Sequence, residues 1–239
     1  LVTDNDTRRF RKGHRTGEGP VLAVIQPGTL FEQWQIMKAA VDAGCIVIMQ
    51  AANTGLTGGS TPDGDNYDRA VVLINTLRLK GIQLINEGKQ VVCLPGATLD
   101  NLEQVLLPLG REPHSVIGSL CVVDSELGGV CSNSGGALVR RGPAYTELAL
   151  YAQVDESGEL KLINHLGINL GDTPEEILNR LQSGSYSVND IDNESGRAAS
   201  DPRYAEHVRQ VDEETPARFN ADPSRLFEAS GSAGKVGVF

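Results

Sequence analysis

No apolar run in this sequence is long enough to cross a membrane as a helix, and its first stretch, LVTDNDTRRFRKGHRTG, holds no signal-peptide core. Cysteine is sparse. Cys45, Cys93, Cys121 and Cys131 form no Cys-x-x-Cys pair, so reduced, packed thiols in a cytosolic protein are expected. The four histidines are scattered and none is spaced to join a cysteine pair, which argues against structural zinc. Positive charge is short as well: 21 Lys and Arg stand against 31 Asp and Glu, a formal charge of −10. That balance argues against a nucleic-acid binder and against an anionic membrane surface as the direct partner of this chain. No internal repeat is visible.

What is present is ordinary globular composition, 40% hydrophobic and 22% charged over 239 residues, enough to bury a real core. The chain begins at Leu1 rather than Met and stops at Phe239 inside GKVGVF, which reads as a strand. A fragment of a longer protein is expected on that basis.

VLAVIQP (21–27) reads as a strand. Thr29-Leu30-Phe31-Glu32 is a capping box, and Leu30, Trp34, Met37 and Val41 form one apolar helical stripe that Gly44 stops. CIVIMQA is a second strand, parallel to the first in a βαβ unit. AVVLINT (70–76) is a third. IQLINEGKQVVCLP reads as a hairpin turning at Glu87-Gly88, and TLDNLEQVLLPLG as a helix with Leu99, Leu102, Leu106 and Leu109 on one face. TELALYAQV-DESG-ELKLINHL is another hairpin. Thr173-Pro174-Glu175-Glu176 is a second capping box with Pro at the first helical position.

The fold class expected is α+β: a small α/β subdomain (17–88) after an N-terminal segment (1–16), then a larger, mostly antiparallel sheet subdomain with flanking helices (89–239). Residues 184–225, rich in charge and poor in large apolar groups, read as a long solvated excursion.

Two glycine-rich loops compete for a ligand: QAANTGLTGGST (50–61), directly after an apolar strand, and IGSLCVVDSELGGVCSNSGG (117–136). Either loop could simply turn the chain. Two in one chain make a shared anionic ligand the better reading, since glycine lets backbone N–H groups come close to phosphate. The familiar phosphate motifs fail. TGLTGGST has the wrong spacing for GxGxxG, and ASGSAGKV has Ala229 and Val236 where a Walker loop needs Gly and Ser/Thr.

MQAANTGLTGGSTP, VVCLPGATLDNLEQVLLPLGREPHSVIGS, GGVCSNSGGALVRRGPAYTE and LFEASGSAGKVGVF together resemble the FAD-binding domain of the vanillyl-alcohol-oxidase (PCMH-type) flavoproteins. The REPHSVIGS and RRGPAYTE runs are similar to the respiratory, quinone-dependent D-lactate dehydrogenase branch of that family. The resemblance implies a PCMH-type FAD-binding fold, with the first loop around the FAD pyrophosphate. Carried over, Ala51, Ala52, Asn53, Thr54, Gly55, Gly59 and Ser60 touch the cofactor, as do Gly118, Ser125 and Gly135 of the second loop and Val238 of a late strand. Where some relatives carry a flavin-linked His, this chain has Gln50-Ala51-Ala52-Asn53, so the FAD is expected to be non-covalent.

The resemblance further implies D-lactate and a membrane quinone as partners, at the cytoplasmic face of the inner membrane, with the membrane met by cap and C-terminal regions outside this chain; the fragment alone is expected to be soluble. No catalytic residue and no metal ligand is assigned here. Of the histidines only His114 merits watching, and a hydrogen-bonded structural role is favoured even there. Arg140-Arg141 could meet a phosphate or carboxylate, but a surface pair is commoner. A glycolate or D-2-hydroxyglutarate dehydrogenase is the alternative enzyme, and a flavin-free structural module the alternative of another class.

Overall fold

A computed structural model of the chain describes residues 7–113, 126–135, 140–193, 196–198, 203–214 and 229–239. Its first half is organised by a parallel sheet. Strands β1 (Ala23–Ile25), β2 (Ile46–Gln50) and β3 (Val71–Asn75) lie in the order β1-β3-β2, with Ala23 opposite Val72 and Ile46 opposite Val71. The expected βαβ unit is therefore present with β3 inserted between its two strands. β3 is buried along its whole length, as a central parallel strand covered on both faces must be.

A short helix α1 (Arg8–Arg11) precedes this sheet, and helix α2 (Leu30–Asp42) connects β1 to β2. α2 starts where it does because the Thr29 hydroxyl accepts the Glu32 N–H at 3.0 Å while the Glu32 carboxylate accepts the Gly28 N–H at 2.6 Å. It ends at Gly44, whose φ of +68° suits the left-handed exit. Leu30, Trp34 and Met37 are buried, and Val41 is half-buried beside them.

The hairpin of β4 (Ile82–Ile85) and β5 (Gln90–Cys93) turns through Asn86, Glu87 and Gly88, all left-handed. Helix α3 (Leu99–Leu106) then buries Leu102 and Leu106, with Leu99 half-buried. Leu109 does not share that face. Pro108 lies in a 3₁₀ turn over Leu107–Leu109, which tightens the last turn and leaves Leu109 46% exposed.

Helix α4 (Glu126–Cys131) is followed by an antiparallel sheet of order β7-β6-β8, with β6 (Leu150–Val154), β7 (Leu160–Asn164) and β8 (Gly237–Val238). The β6–β7 turn is held by Asp155, whose Oδ1 accepts from the Ser157 hydroxyl and N–H and from the Glu159 N–H. These bonds, the Ser157 hydroxyl first among them, hold the carboxyl below its usual pKa. Helix α5 (Pro174–Ser183) repeats the α2 start: Thr173 accepts the Glu176 N–H and Glu176 accepts the Asp172 N–H.

The main core joins elements from both halves. Leu30, Trp34 and Met37 of α2 meet Leu178 and Leu181 of α5, Leu150 of β6 and Phe239. Polar ties run alongside: the Leu30 N–H donates to Gln182 at 2.6 Å, and the Gln83 amide to the Leu181 carbonyl at 2.7 Å.

The described parts of 184–225 are also tied to this body. Tyr186 and Ile191 pack on the core, the Ala198 N–H donates to Glu147 at 2.8 Å, and Tyr204 of helix α6 (Tyr204–His207) lies against Gly142. Few large apolar residues are used for this. Hydrogen bonds and a capping box at Ser187–Asp190 replace them.

Because Leu106 is 4% exposed and Leu109 is 46% exposed, their truncations should differ. In urea unfolding, Leu106→Ala should cost about 3 kcal/mol, as cavity-forming core changes do, and Leu109→Ala under about 1 kcal/mol. Equal losses would return Leu109 to the helix face.

Candidate functional site

The first glycine loop leaves the C-terminal end of β2, where parallel strands present ligands. Its root is a buried amide network. Gln50, 2% exposed, donates its two amide hydrogens to the carbonyls of Phe10 and Ser60, each at 2.8 Å. Its Oε1 accepts from Asn75 Nδ2 at 3.0 Å, and the same Asn75 nitrogen donates to the Ala51 carbonyl at 2.9 Å. Asn75 Oδ1 accepts from Gln26 at 3.0 Å. Thr76, at the end of β3, donates its N–H to the Gln50 carbonyl at 2.8 Å.

Ala51 is buried at the loop's root, Ala52, Asn53 and Thr54 are half-buried, and Gly55 to Thr57 and Gly59 are exposed. Asn53 has φ of +59°, which Asn tolerates better than most residues. Its Nδ2 donates to the Lys12 carbonyl at 2.8 Å, and its Oδ1 accepts the Ser60 hydroxyl at 2.9 Å. The side chains of Asn53 and Ser60, two residues placed at the cofactor by the family resemblance, are engaged in bracing the loop.

The backbone is different. Among the described residues, none of the N–H groups from Ala52 to Ser60 has an acceptor within the protein. A Cβ built at Gly55 or Gly59 meets nothing within 4 Å. The loop thus presents a run of uncommitted donors at an unobstructed surface, with no Lys or Arg in it. Those donors fit a diphosphate, and the residues present fit the FAD that the loop suggests.

The glycine that tolerates no side chain without strain is Gly58. It has φ of +76°, and a Cβ there would sit 2.9 Å from Thr16 Oγ1. Thr16 belongs to the N-terminal segment (1–16), which carries no apolar pattern in sequence. It forms the back of the loop. Phe10 is buried, Lys12 bridges to Glu18, and the Gly64 N–H donates to the Glu18 carbonyl at 3.0 Å. Nothing in the polar string TRRFRKGHRTG signalled this, although the isolated Phe10 was a trace of it.

Of the second loop, Gly118 and Ser125 lie outside the described residues, as do His114 and Cys121. Gly135 is exposed with open space around its Cβ direction. ASGSAGKV has a structural role beside this loop. Its Gly231 and Ala233 N–H groups donate to the Val130 and Cys131 carbonyls at 3.1 and 2.9 Å, closing the C-terminus of α4. Burial pushes the Cys131 thiol up to about 11, against a smaller opposing effect of the nearby Ser232 side chain.

Val238 on β8 is buried, pairs with Tyr151, and gives its carbonyl to Gln33 Nε2 of α2 at 2.8 Å. It borders a cavity of about 570 Å³, a usual size for a small-molecule pocket, lined also by Pro95, Val130, Tyr145 and Arg111. No residue of 50–61 lines that cavity. Arg141 donates to the Glu112 carboxylate and, at 3.2 Å, to the Pro113 carbonyl, while Arg140 is exposed. His14 is exposed, His165 stacks edge-on against Tyr151, and His207 ends α6.

The family model described as an FAD binding domain matches residues 21–162. The chain belongs to that family. It is 62% identical over its whole length to the quinone-dependent D-lactate dehydrogenase of Haemophilus influenzae and 56% identical to that of Escherichia coli. It spans 42% of the length of each of these relatives. Among solved structures it is similar to chitooligosaccharide oxidase, with a TM-score of 0.52 at 14% identity, covering 69% of this chain and 34% of that one. The PCMH-type FAD-binding fold expected from the sequence is present, and its cofactor is FAD.

The geometry separates the three loop glycines. Gly55→Val and Gly59→Val should fold within about 1 kcal/mol of the parent and lose flavin, because the added methyls enter open space where the cofactor must come close. Gly58→Val should cost about 2 kcal/mol in the flavin-free protein through strain at a positive φ. Flavin content per protein and urea midpoints separate the two effects. Full flavin occupancy in both exposed-glycine variants would exclude the loop. With a pKa of about 11, roughly one Cys131 thiol in a thousand is ionised at pH 8, so iodoacetamide should modify it about a hundredfold more slowly in the folded than in the unfolded protein.

Proposed function

We propose that this chain is the FAD-binding portion of a dehydrogenase that oxidises D-lactate to pyruvate and uses a quinone as electron acceptor. The observation that carries the reading is whole-chain identity of 62% and 56% to proteins of that name. The glycolate and D-2-hydroxyglutarate alternatives have no such support.

In this reading the backbone of Ala51–Gly55, with Gly59 and Ser60, binds the diphosphate, and Gly118, Ser125, Gly135 and Val238 complete the cofactor site. Asn53 and Ser60 contribute through the loop's shape and their main chain, since their side chains brace one another. When bound, FAD supplies the acceptor for the substrate's C2 hydride and returns the electrons to quinone. The protein's part here is to bind and orient; the base that takes the hydroxyl proton is assigned to no residue of this chain. The two subdomains divide the work at residues 87–90, one for the diphosphate and one for the rest of the cofactor.

The cofactor is held non-covalently, because the loop from Gln50 to Thr61 contains no nucleophilic His or Cys. The full enzyme sits peripherally at the cytoplasmic face of the inner membrane and meets it through regions outside these 239 residues. No helix among the described residues is long and apolar enough to cross a membrane.

Acid precipitation should release the flavin entirely into the supernatant; colour in the pellet would mean a covalent link. Reconstituted with FAD, the 239-residue chain alone should not reduce dye with D-lactate, whereas the intact protein should, and should prefer D-lactate over glycolate and D-2-hydroxyglutarate. A preference for either competitor would overturn the substrate assignment.

A further inference from the structure

We infer that Gln50 is a positioning residue for the cofactor: one buried side-chain amide holds both ends of the 50–61 loop and the N-terminal segment, setting the loop in its binding form before FAD arrives. This rests on the FAD reading of the loop and extends it to residues that need not touch the cofactor.

A primary amide has two donor hydrogens and one acceptor oxygen, and Gln50 commits all of them to different segments. One hydrogen goes to Phe10 in α1 and the other to Ser60 at the loop's far end, while the oxygen takes Asn75 on β3. Asn75 in turn holds the Ala51 carbonyl at the loop's near end. The two ends are therefore closed through one pair of side chains, and the Asn53–Ser60 bond closes the same ring from above.

This closure explains how a segment with so many uncommitted N–H groups keeps a shape. None of the backbone donors from Ala52 to Ser60 is needed to hold it, so these remain for the ligand. Binding then escapes the ordering cost that a loose glycine loop would impose. Neither a carboxylate nor an aliphatic side chain can replace it. A carboxylate would face two carbonyl oxygens, and an aliphatic group would strand both carbonyls and the Asn75 donor.

The test uses the intact protein with flavin removed. FAD affinity is read by quenching of flavin fluorescence, and loop order by thermolysin cleavage before Leu56, the large apolar side chain of the loop and 59% exposed. Gln50→Leu should weaken FAD binding at least about tenfold and speed cleavage at Leu56 by a similar factor, since opening exposes the bond. Gln83→Leu, which removes a comparable amide between β4 and α5, should lower Tm yet change neither quantity by more than about twofold.

Equal FAD affinity in Gln50→Leu and wild type, measured well below Tm, would overturn the inference. If Gln50→Leu does not fold, the wild type decides: cleavage at Leu56 as fast as in an unstructured peptide would mean the loop is not preset, and resistance would mean that it is. Failure of the wild type to bind FAD would sink the cofactor reading, and the cleavage comparison would still report on the loop.

Discussion

Gln50 has almost no contact with water, and a buried primary amide must fill its hydrogen bonds inside the protein or destabilise it. That constraint organises the region around it. Phe10, Ser60 and Asn75 are brought together from positions far apart in sequence, and Asn75 passes the requirement on to Gln26 and Ala51. The parallel strands fix where this happens. Gln50 and Asn75 are register partners at the C-terminal ends of β2 and β3, so their side chains meet because the sheet is parallel and in that register.

Regular elements with strong local signals were legible in the sequence. Both Thr-x-x-Glu boxes start helices, the Leu30–Trp34–Met37 stripe is buried, and both hairpins turn where glycine and acidic residues permit. The failures have physical causes. Leu109 continues the helical spacing, but Pro108 removes a backbone donor and changes the turn. Among the loop glycines spacing alone could not single out Gly58, because the atom an added Cβ would meet belongs to Thr16, a tertiary neighbour. The N-terminal segment was opaque for a similar reason. Its anchoring uses backbone carbonyls of Phe10 and Lys12, and a carbonyl leaves no mark on residue identity.

The charge of the chain bears on how an anionic cofactor is held. With a formal charge of −10, the molecule as a whole does not attract a diphosphate. Attraction has to be local, from oriented backbone N–H groups within hydrogen-bonding range, where a partial charge acts at full strength and screening is weak. The run from Arg8 to Arg15 softens the unfavourable background, since it folds against the back of the same loop. Its arginines are largely occupied: Arg8 faces Glu18 at 3.5 Å, Arg11 donates to Thr7 and Gly19, and Arg9 lies over the Phe10 ring. They help to seat the segment, and the loop's geometry does the binding.

How the second half is tied to the first follows from α2. Its Gln33, fully buried, donates to the Val238 carbonyl, and the end of the Met37 side chain lies so close to Gly237 that a Cβ there would sit 2.2 Å from Met37 Cε and force it to move. Trp34 meets the Phe239 ring at 6.4 Å. Three side chains on two adjacent turns of one helix thus locate the three final residues, and the same helix leads through Gly44 into β2 and the diphosphate loop. The packing of α2 consequently ties the position of β8 to the root of that loop. Glycine at 237 serves the approach of Met37 rather than any turn, since it lies within a strand, and a larger residue there would have to displace the end of the Met37 side chain. A close approach of two elements, invisible in local patterning, therefore accounts for a glycine where strand propensity alone would disfavour one.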